Sequence, residues 1–174
     1  MSKNRIINAS PIILLGKADL LKTISPLAEK WIIPDGVLNE IRAKRSIEPY
    51  LTDLSSNSEV ARETVSNIHP SIAAWDLGRG ESQVLTLALE KPRTGVVLDD
   101  LQARKCAELF DIPLIGTLGL VVLAKRKGLV PLAKPFIERL VSVGLYIDSA
   151  ILARILIGVG ETAEQSAILP RLSS

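Results

Sequence analysis

Residues 94–119 (TGVVLDDLQARKCAELFDIPLIGTLG) most constrain the fold, because a strand, an acidic pair, a helix and a second strand follow one another there. Val96–Leu98 is a short apolar run of the kind found in strands buried on both faces of a parallel sheet. Leu101–Phe110 has apolar residues at helical spacing, and Pro113–Ile115 is a second apolar run. The segment therefore predicts one strand–helix–strand unit of an α/β fold.

The same alternation of strands and helices extends over the rest of the chain. Strands are predicted at Arg5–Ala9 and Trp31–Ile33, and residues 72–77 are predicted as a strand or edge segment. Ser10 followed by Pro11 is typical of a helix start. Further helices are predicted at residues 18–27, 36–45, 81–90, 117–127, 131–143 and 148–158, with another candidate at 59–68. This order favours a parallel sheet covered by helices on both faces.

Composition limits the kind of protein. The chain has 174 residues, of which 47% are hydrophobic and 3% aromatic, and its net charge is +2. We expect a domain at residues 1–128, a helical extension packed on it at 129–160, and a mobile tail at 161–174. The single cysteine, Cys106, excludes an internal disulfide and a cysteine-based zinc site. No apolar run reaches the ~18 residues of a membrane span, and charged residues interrupt the first one, so we expect a cytoplasmic protein.

Polar side chains follow several of the predicted strands or begin the next helices. Asp99 and Asp100 come directly after Val96–Leu98, and the other members are Asn8, Ser10, Glu40, Glu81 and Thr117. Ligands of α/β proteins bind at the carboxyl ends of parallel strands, so these side chains can converge on one rim of the sheet. Their oxygens suit Mg²⁺ or Mn²⁺. Each also has a structural explanation, since such residues cap helices or favour the helix dipole.

Five short motifs occur in an order that resembles PIN-domain proteins. They are N-A-S-P at 8–11, a mid-helix Glu40, G-R-G-E-S at 78–82, L-D-D-x-x-A-R at 98–104 and I-G-T-L-G at 115–119. The chain is most similar to a branch of toxins and nucleic-acid-binding proteins of prokaryotic toxin–antitoxin systems. The resemblance implies a three-layer α/β/α sandwich with a central parallel sheet and extra C-terminal helices. It also implies cleavage of single-stranded RNA with Mg²⁺ or Mn²⁺, as in VapC-like ribonucleases.

The resemblance also implies roles for single residues. Asn8 falls where most PIN nucleases have their first aspartate, and Glu40 falls at the second acidic position. Asp99 and Asp100 cover the next acidic position, and either is a candidate for the main ligand, whereas Glu81 matches a further acid less closely. The implied metal ligands are Asn8, Glu40, Asp99 and Asp100; the implied catalytic set is Glu40, Glu81, Asp99 and Asp100, with Ser10 and Thr117 as other polar groups at the rim. Asn8 is a departure, because an amide oxygen can bind a cation but cannot act as a base.

Basic residues flank the expected rim and are candidates for binding RNA phosphates. They are Arg42, Lys44, Arg45, Arg79, Arg104 and Lys105. Aromatic platforms for stacking single-stranded bases are scarce, so recognition would rest on the RNA backbone and on the shape of a partner. The expected partners are RNA, a cognate antitoxin protein and a second copy of this chain.

Three other functions compete with the nuclease. A catalytically inactive PIN-like module would bind nucleic acid or protein without a metal at the rim. A dinucleotide enzyme is disfavoured, because the G-x-G-x-x-A match at 158–163 leaves too little chain for the rest of that fold. A phosphatase of one common class is disfavoured, because no Asp-x-Asp motif follows the first strand.

Overall fold

The computed structural model describes residues 3–161 of the chain. Its centre is one sheet of five parallel strands in the order β3-β2-β1-β4-β5. The strands are β1 (Asn4–Ile7), β2 (Lys30–Pro34), β3 (Glu59–Glu63), β4 (Gly95–Val97) and β5 (Leu114–Ile115). The first strand thus lies in the middle of the sheet, with later strands on both sides.

Helices cover both faces of this sheet. They are α1 (Ala9–Lys17), α2 (Leu21–Ile24), α3 (Asp35–Arg42), α4 (Glu48–Leu54), α5 (Pro70–Ala73), α6 (Arg79–Glu90), α7 (Leu101–Leu109), α8 (Thr117–Arg126), α9 (Lys134–Ser142) and α10 (Ser149–Gly158), with a 3₁₀ turn at Ser25–Leu27. Helix α6 packs on β1, β2 and β4 and contacts α7, while α1, α2, α8 and α9 contact one another. The predicted three-layer α/β/α sandwich is therefore confirmed.

The core is aliphatic, as the composition indicates. Its largest fully buried side chain is Trp31, whose indole N–H donates to the carbonyl of Ser25 at 3.0 Å. Every residue of β4 is buried, and only Asn4 of β1 is partly exposed, which explains the apolar pairs Ile6-Ile7 and Val96-Val97. Within residues 3–161, no helix is both long and apolar enough to span a membrane.

Two predicted elements are wrong. Residues 59–68 are a candidate helix by their sequence, but Glu59–Glu63 forms the edge strand β3, paired with β2 from Lys30 opposite Glu59. An edge strand has one open side and carries charged side chains, so its sequence does not show the apolar pattern of a buried strand. Residues 72–77 are predicted as a strand or edge segment, but Pro70–Ala73 forms the short helix α5, and His69 Nδ1 caps it by accepting from Ser71 N at 3.2 Å.

The C-terminal helices α9 and α10 follow the last strand. Helix α9 packs against α1 and α8. Glu161, which is 3% exposed, accepts hydrogen bonds from the backbone N–H groups of Ala133 and Lys134 at 2.5 and 3.0 Å. These bonds join the end of the described chain to the start of α9. The tail expected at 161–174 lies outside the described residues apart from Glu161.

Candidate functional site

The strand order reverses at β1, since β2 lies on one side of it and β4 on the other. Ile7 at the end of β1 is paired with Val97 at the end of β4, and the Asn8 N–H donates to the Val97 carbonyl at 3.1 Å. In open α/β sheets, ligands bind in the crevice at such a reversal, outside the carboxyl ends of the strands. Asn8 and Asp99, which follow these two strands, therefore flank the place where a ligand is expected.

Asn8 presents an unusual side chain at this position. It is the N-cap of α1, a place expected for Ser10, but its side chain makes no capping hydrogen bond, and Ser10 lies exposed in the first turn. The side chain is 2% exposed, and its Nδ2 donates to Glu81 Oε1 at 2.9 Å. Its Oδ1 is buried without a hydrogen-bond partner among residues 3–161. Buried carbonyl oxygens are normally paired, so this unpaired oxygen is a candidate ligand-binding atom.

The unpaired oxygen lies close to Gly80. A Cβ placed on Gly80 would lie 3.0 Å from Asn8 Oδ1 and 3.2 Å from Glu40 Oε2, so both oxygens approach the same point of the backbone. Gly80 lies in the first turn of α6 with an ordinary helical backbone, so the close approach of these oxygens is what favours a glycine there. Asn8, Glu40 and Glu81 are thus brought together, as predicted from the sequence. The role of Gly80 was missed, and its only signal was a glycine inside a predicted turn.

The acidic pair after β4 divides into two different environments. Asp99 is half-buried; its Oδ1 accepts from the Thr117 N–H at 2.8 Å and its Oδ2 accepts from the Thr117 hydroxyl at 2.5 Å. Asp100 is exposed and caps α7, with its Oδ1 accepting from Ala103 N at 2.8 Å. Asp99 therefore extends toward β5 along the rim, whereas Asp100 has the structural role of a helix cap.

The acidic residues do not form one compact cluster. Across the described part of the chain, no three His, Cys, Asp or Glu side chains form a group that could hold a metal ion. Two features account for this. Position 8 carries a neutral amide instead of a carboxylate, and both Asp99 oxygens are hydrogen-bonded to Thr117. A cation here would need the Asn8 amide oxygen as one of its ligands.

The basic residues predicted to bind RNA differ in their partners. Arg104 Nη1 donates to the Leu98 carbonyl at 3.2 Å, and a Cβ on Gly116 would contact both that nitrogen and Asp99 Oδ1, which places the guanidinium beside the rim. Arg79 pairs with Asp35 at 3.1 Å.

Three of the other basic candidates, Arg42, Lys44 and Arg45, lie at the end of α3 or just after it, and Lys105 directly follows Arg104. Arg42 pairs with Glu48 at 3.7 Å, and Arg45 donates to the Tyr50 hydroxyl at 3.2 Å. Lys44 and Lys105 are exposed. Arg104 is thus the basic side chain whose contacts tie it most closely to the acidic pair.

Cys106 belongs to the core of α7. Its side chain is fully buried, and burial raises the pKa of its thiol above the ordinary value. A protonated, inaccessible thiol is a poor nucleophile, which agrees with its interpretation as a small core residue.

Known proteins provide an independent view of the fold. A PilT N-terminus domain protein from the hyperthermophilic archaeon Sulfolobus solfataricus is similar in structure, with a TM-score of 0.51 and 17% sequence identity over 70% of this chain and 92% of that chain. At this identity the similarity concerns the fold alone. No curated protein is similar enough in sequence to match the chain. The family DUF3368, a PIN domain, matches residues 4–161, which include the whole sheet and all ten helices described above. The chain therefore belongs to this family of PIN domains.

Proposed function

We propose that this protein is a metal-dependent endoribonuclease that cleaves single-stranded RNA and acts as the toxin of a toxin–antitoxin pair. PIN domains are in general nucleases that use divalent metals. The observation that carries the proposal is the buried, unpaired Asn8 Oδ1, which lies close to Gly80, as Glu40 does, at the strand-order reversal. A cation bound there would supply the partner that this acceptor lacks.

The residues present fit a hard divalent cation. The candidate ligands Asn8, Glu40 and Asp99 all offer oxygen atoms, which Mg²⁺ and Mn²⁺ prefer. When bound, such an ion activates water and stabilises the charge that develops on a phosphodiester. We assign Asp99 rather than Asp100 to this set, because Asp100 already caps α7. Thr117 serves as an orienting residue that holds the Asp99 carboxylate.

The chain's own basic residues would place the RNA. Arg104 is anchored on the Leu98 carbonyl, and its remaining N–H groups are suited to a phosphate beside Asp99. Arg79, whose side chain is 66% exposed, and Lys105 offer further phosphate contacts on either side. Contacts of this kind position the RNA backbone without selecting its sequence.

The test is cleavage of a generic single-stranded RNA by the wild-type protein with Mn²⁺, with EDTA, and by Asp99→Asn purified in parallel. Asp111→Asn is the matched control, because Asp111 is exposed, lies before the amino end of β5 and thus at the opposite end of that strand from Thr117, and has a φ of 53° that asparagine tolerates. We expect metal-dependent cleavage by the wild type and by Asp111→Asn and none by Asp99→Asn. Equal cleavage by all three proteins would reveal a contaminating nuclease, and none by any would contradict the proposal.

A second candidate function is a PIN-like module that binds nucleic acid or protein without cleaving it. It is favoured by the neutral Asn8 and by the engagement of both Asp99 oxygens with Thr117. Calorimetry with Mn²⁺ separates the two functions. A nuclease binds the ion in a manner that Asp99→Asn abolishes, whereas an inactive module shows no binding at the rim.

We also propose a cognate antitoxin and a second copy of the chain as partners. Helix α10 has no buried residue, and its Ile151 and Ile157 are 43% and 70% exposed, so its apolar side chains are available to another protein. Light scattering of the purified chain, alone and with the protein encoded beside it, tests both partners. A monomer that binds no neighbour-encoded protein would contradict this part of the proposal.

A further inference from the structure

We infer that Glu81 is a positioning residue that turns the amide of Asn8 so that its oxygen, and not its nitrogen, faces Glu40 and the cation. The inference rests on the proposed function and assigns separate tasks within the site. Asn8 supplies a neutral ligand. Glu81, which accepts a hydrogen bond from Asn8, supplies the negative charge that an aspartate at position 8 would have carried.

The chemistry of the two side chains determines the orientation of the amide. The amide of Asn8 has one accepting oxygen and one donating NH₂ group of nearly the same shape. Its hydrogen-bond partners therefore determine whether the oxygen or the nitrogen faces Glu40. An ionised carboxylate accepts hydrogen bonds and cannot donate them. The 2.9 Å contact between Glu81 Oε1 and the Asn8 amide therefore requires Nδ2 on the side of Glu81, which leaves Oδ1 on the side of Glu40.

The local structure provides Glu81 as the residue that orients the Asn8 amide. Among residues 3–161, Glu81 Oε1 is the acceptor found for the Asn8 side chain, and Asn8 makes no side-chain bond to its own helix. The orientation has a cost, because it leaves Oδ1 buried and unpaired. A cation bound by Oδ1 would remove that cost, so this orientation of the amide favours ligand binding over the stability of the metal-free protein.

The surroundings of Glu81 support its fixed position. Glu81 lies in the first turn of α6, where the helix dipole favours a carboxylate. Its Oε2 lies against Gly78, and a Cβ on Gly78 would collide with it. The glycine that precedes α6 thus lets the carboxylate lie close to the backbone while its other oxygen reaches Asn8.

The alternative is that Glu81 only stabilises the start of α6. Asn8→Asp, Glu81→Gln and the double substitution separate the two roles, with Glu90→Gln, an exposed change at the other end of α6, as the control. Each protein is titrated with MnCl₂ by calorimetry and melted in EDTA. Glu81→Gln keeps the size of the side chain but can donate as well as accept, so it no longer imposes one orientation on Asn8.

We expect Glu81→Gln to weaken Mn²⁺ binding about tenfold, as loss of a residue that orients a ligand commonly does, while Glu90→Gln leaves it unchanged. Asn8→Asp places two carboxylates in contact and lowers the melting temperature in EDTA. The double substitution reverses the direction of the hydrogen bond, so it restores the melting temperature and binds Mn²⁺ at least as tightly as the wild type.

The outcomes distinguish failure of this inference from failure of the proposed function. A wild-type protein that binds no Mn²⁺ would overturn both. Wild type and Glu81→Gln with equal Mn²⁺ affinity, or a double variant that is no better than Asn8→Asp, would overturn the positioning role and leave the nuclease proposal intact. If Glu81→Gln fails to fold, the double variant alone decides, because only a direct pairing of the two side chains predicts its rescue.

Discussion

Thr117 donates both of its polar hydrogens to Asp99: its N–H reaches Oδ1 at 2.8 Å and its hydroxyl reaches Oδ2 at 2.5 Å. Thr117 is the first residue of α8 and is fully buried, so the carboxylate lies at the positive end of that helix. Asp100, the next residue, instead caps α7 by accepting a hydrogen bond from the Ala103 N–H. The two neighbouring acids are thereby divided between two helices.

This division predicts opposite effects of substitution within the acidic pair. Asp100→Ala removes a helix cap and should lower the free energy of unfolding by about 1 kcal/mol while leaving Mn²⁺ affinity unchanged. Asp99→Ala should abolish Mn²⁺ binding. Urea unfolding and calorimetry on both variants measure the two effects. Loss of metal binding in Asp100→Ala with retention in Asp99→Ala would reverse the assignment.

Thr117 is expected to matter through its hydroxyl. Thr117→Val preserves the shape of the buried side chain but removes the donor to Asp99 Oδ2, so the carboxylate is less well oriented. We expect Mn²⁺ affinity to fall about tenfold, a usual effect of losing a partner of a metal ligand. Thr117→Ser keeps the hydroxyl and should bind Mn²⁺ as the wild type does. Equal affinity of the valine and serine variants would show that Thr117 has only a packing role.

The close approach of Asn8 and Glu40 to Gly80 predicts a selective loss of metal binding. In Gly80→Ala, the new methyl group would lie 3.0 Å from Asn8 Oδ1 and 3.2 Å from Glu40 Oε2, so it crowds both candidate ligands and should displace them. The helix should remain formed, because alanine is the better helix residue. Gly158→Ala in α10 is the matched control, since its methyl group would meet no atom within 4 Å. Calorimetry should show Mn²⁺ binding to the control alone; binding by both would place the cation elsewhere.

Arg104 should dominate the contribution of the basic residues to RNA binding. Arg104→Gln removes the guanidinium beside Asp99, and we expect weaker RNA binding together with a shallower dependence of affinity on salt, by about one unit of slope. Lys105→Gln changes the exposed neighbouring residue and should have a smaller effect. Fluorescence anisotropy over a salt series, in EDTA to prevent cleavage, compares them. A larger effect of Lys105→Gln would contradict this expectation and would place the RNA nearer to Lys105 than to Arg104.

The buried contacts of Glu161, the last described residue, predict that its substitution strongly lowers the free energy of unfolding. Its carboxylate accepts from two backbone N–H groups at the start of α9 and pairs with Lys125 at 3.6 Å while 3% exposed. Glu161→Ala should therefore lower the free energy of unfolding by about 2 kcal/mol, as expected for buried hydrogen bonds to a charged group. Glu138→Ala is the control, because the side chain of Glu138 is 63% exposed and pairs only loosely with Lys134, at 3.9 Å. Similar urea midpoints for the two variants would contradict the role of Glu161.

The local pattern of the sequence predicts most of the strands of this sheet but not the edge strand β3. The strands β1, β2 and β4 are predictable because each contains a short apolar run that is buried in the sheet: Ile6-Ile7, Trp31-Ile32-Ile33 and Val96-Val97. Strand β3 was missed, because its residues form a strand only by pairing with β2, and a charged segment such as Glu59–Glu63 has no local reason to do so.

The candidate site shows the same limit. Strand ends predict which polar residues meet at the rim, and Asn8, Glu40 and Glu81 do meet. The choice between Asp99 and Asp100 depends on which helix N-terminus each side chain reaches, and that is a property of tertiary packing. The unpaired amide oxygen of Asn8 likewise has no signature in the order of residues.

The central position of β1 in the sheet determines when the rim can form during synthesis and folding. Ile7 pairs with Val97, and the Asp99 carboxylate is held by Thr117 at the start of α8. Contacts between segments so distant in the chain form late and slowly during folding. A chain still on the ribosome, with only its first helices exposed, would therefore lack the rim altogether. Under the proposed function, a newly made molecule could not cleave RNA until almost all of its sheet had been synthesised.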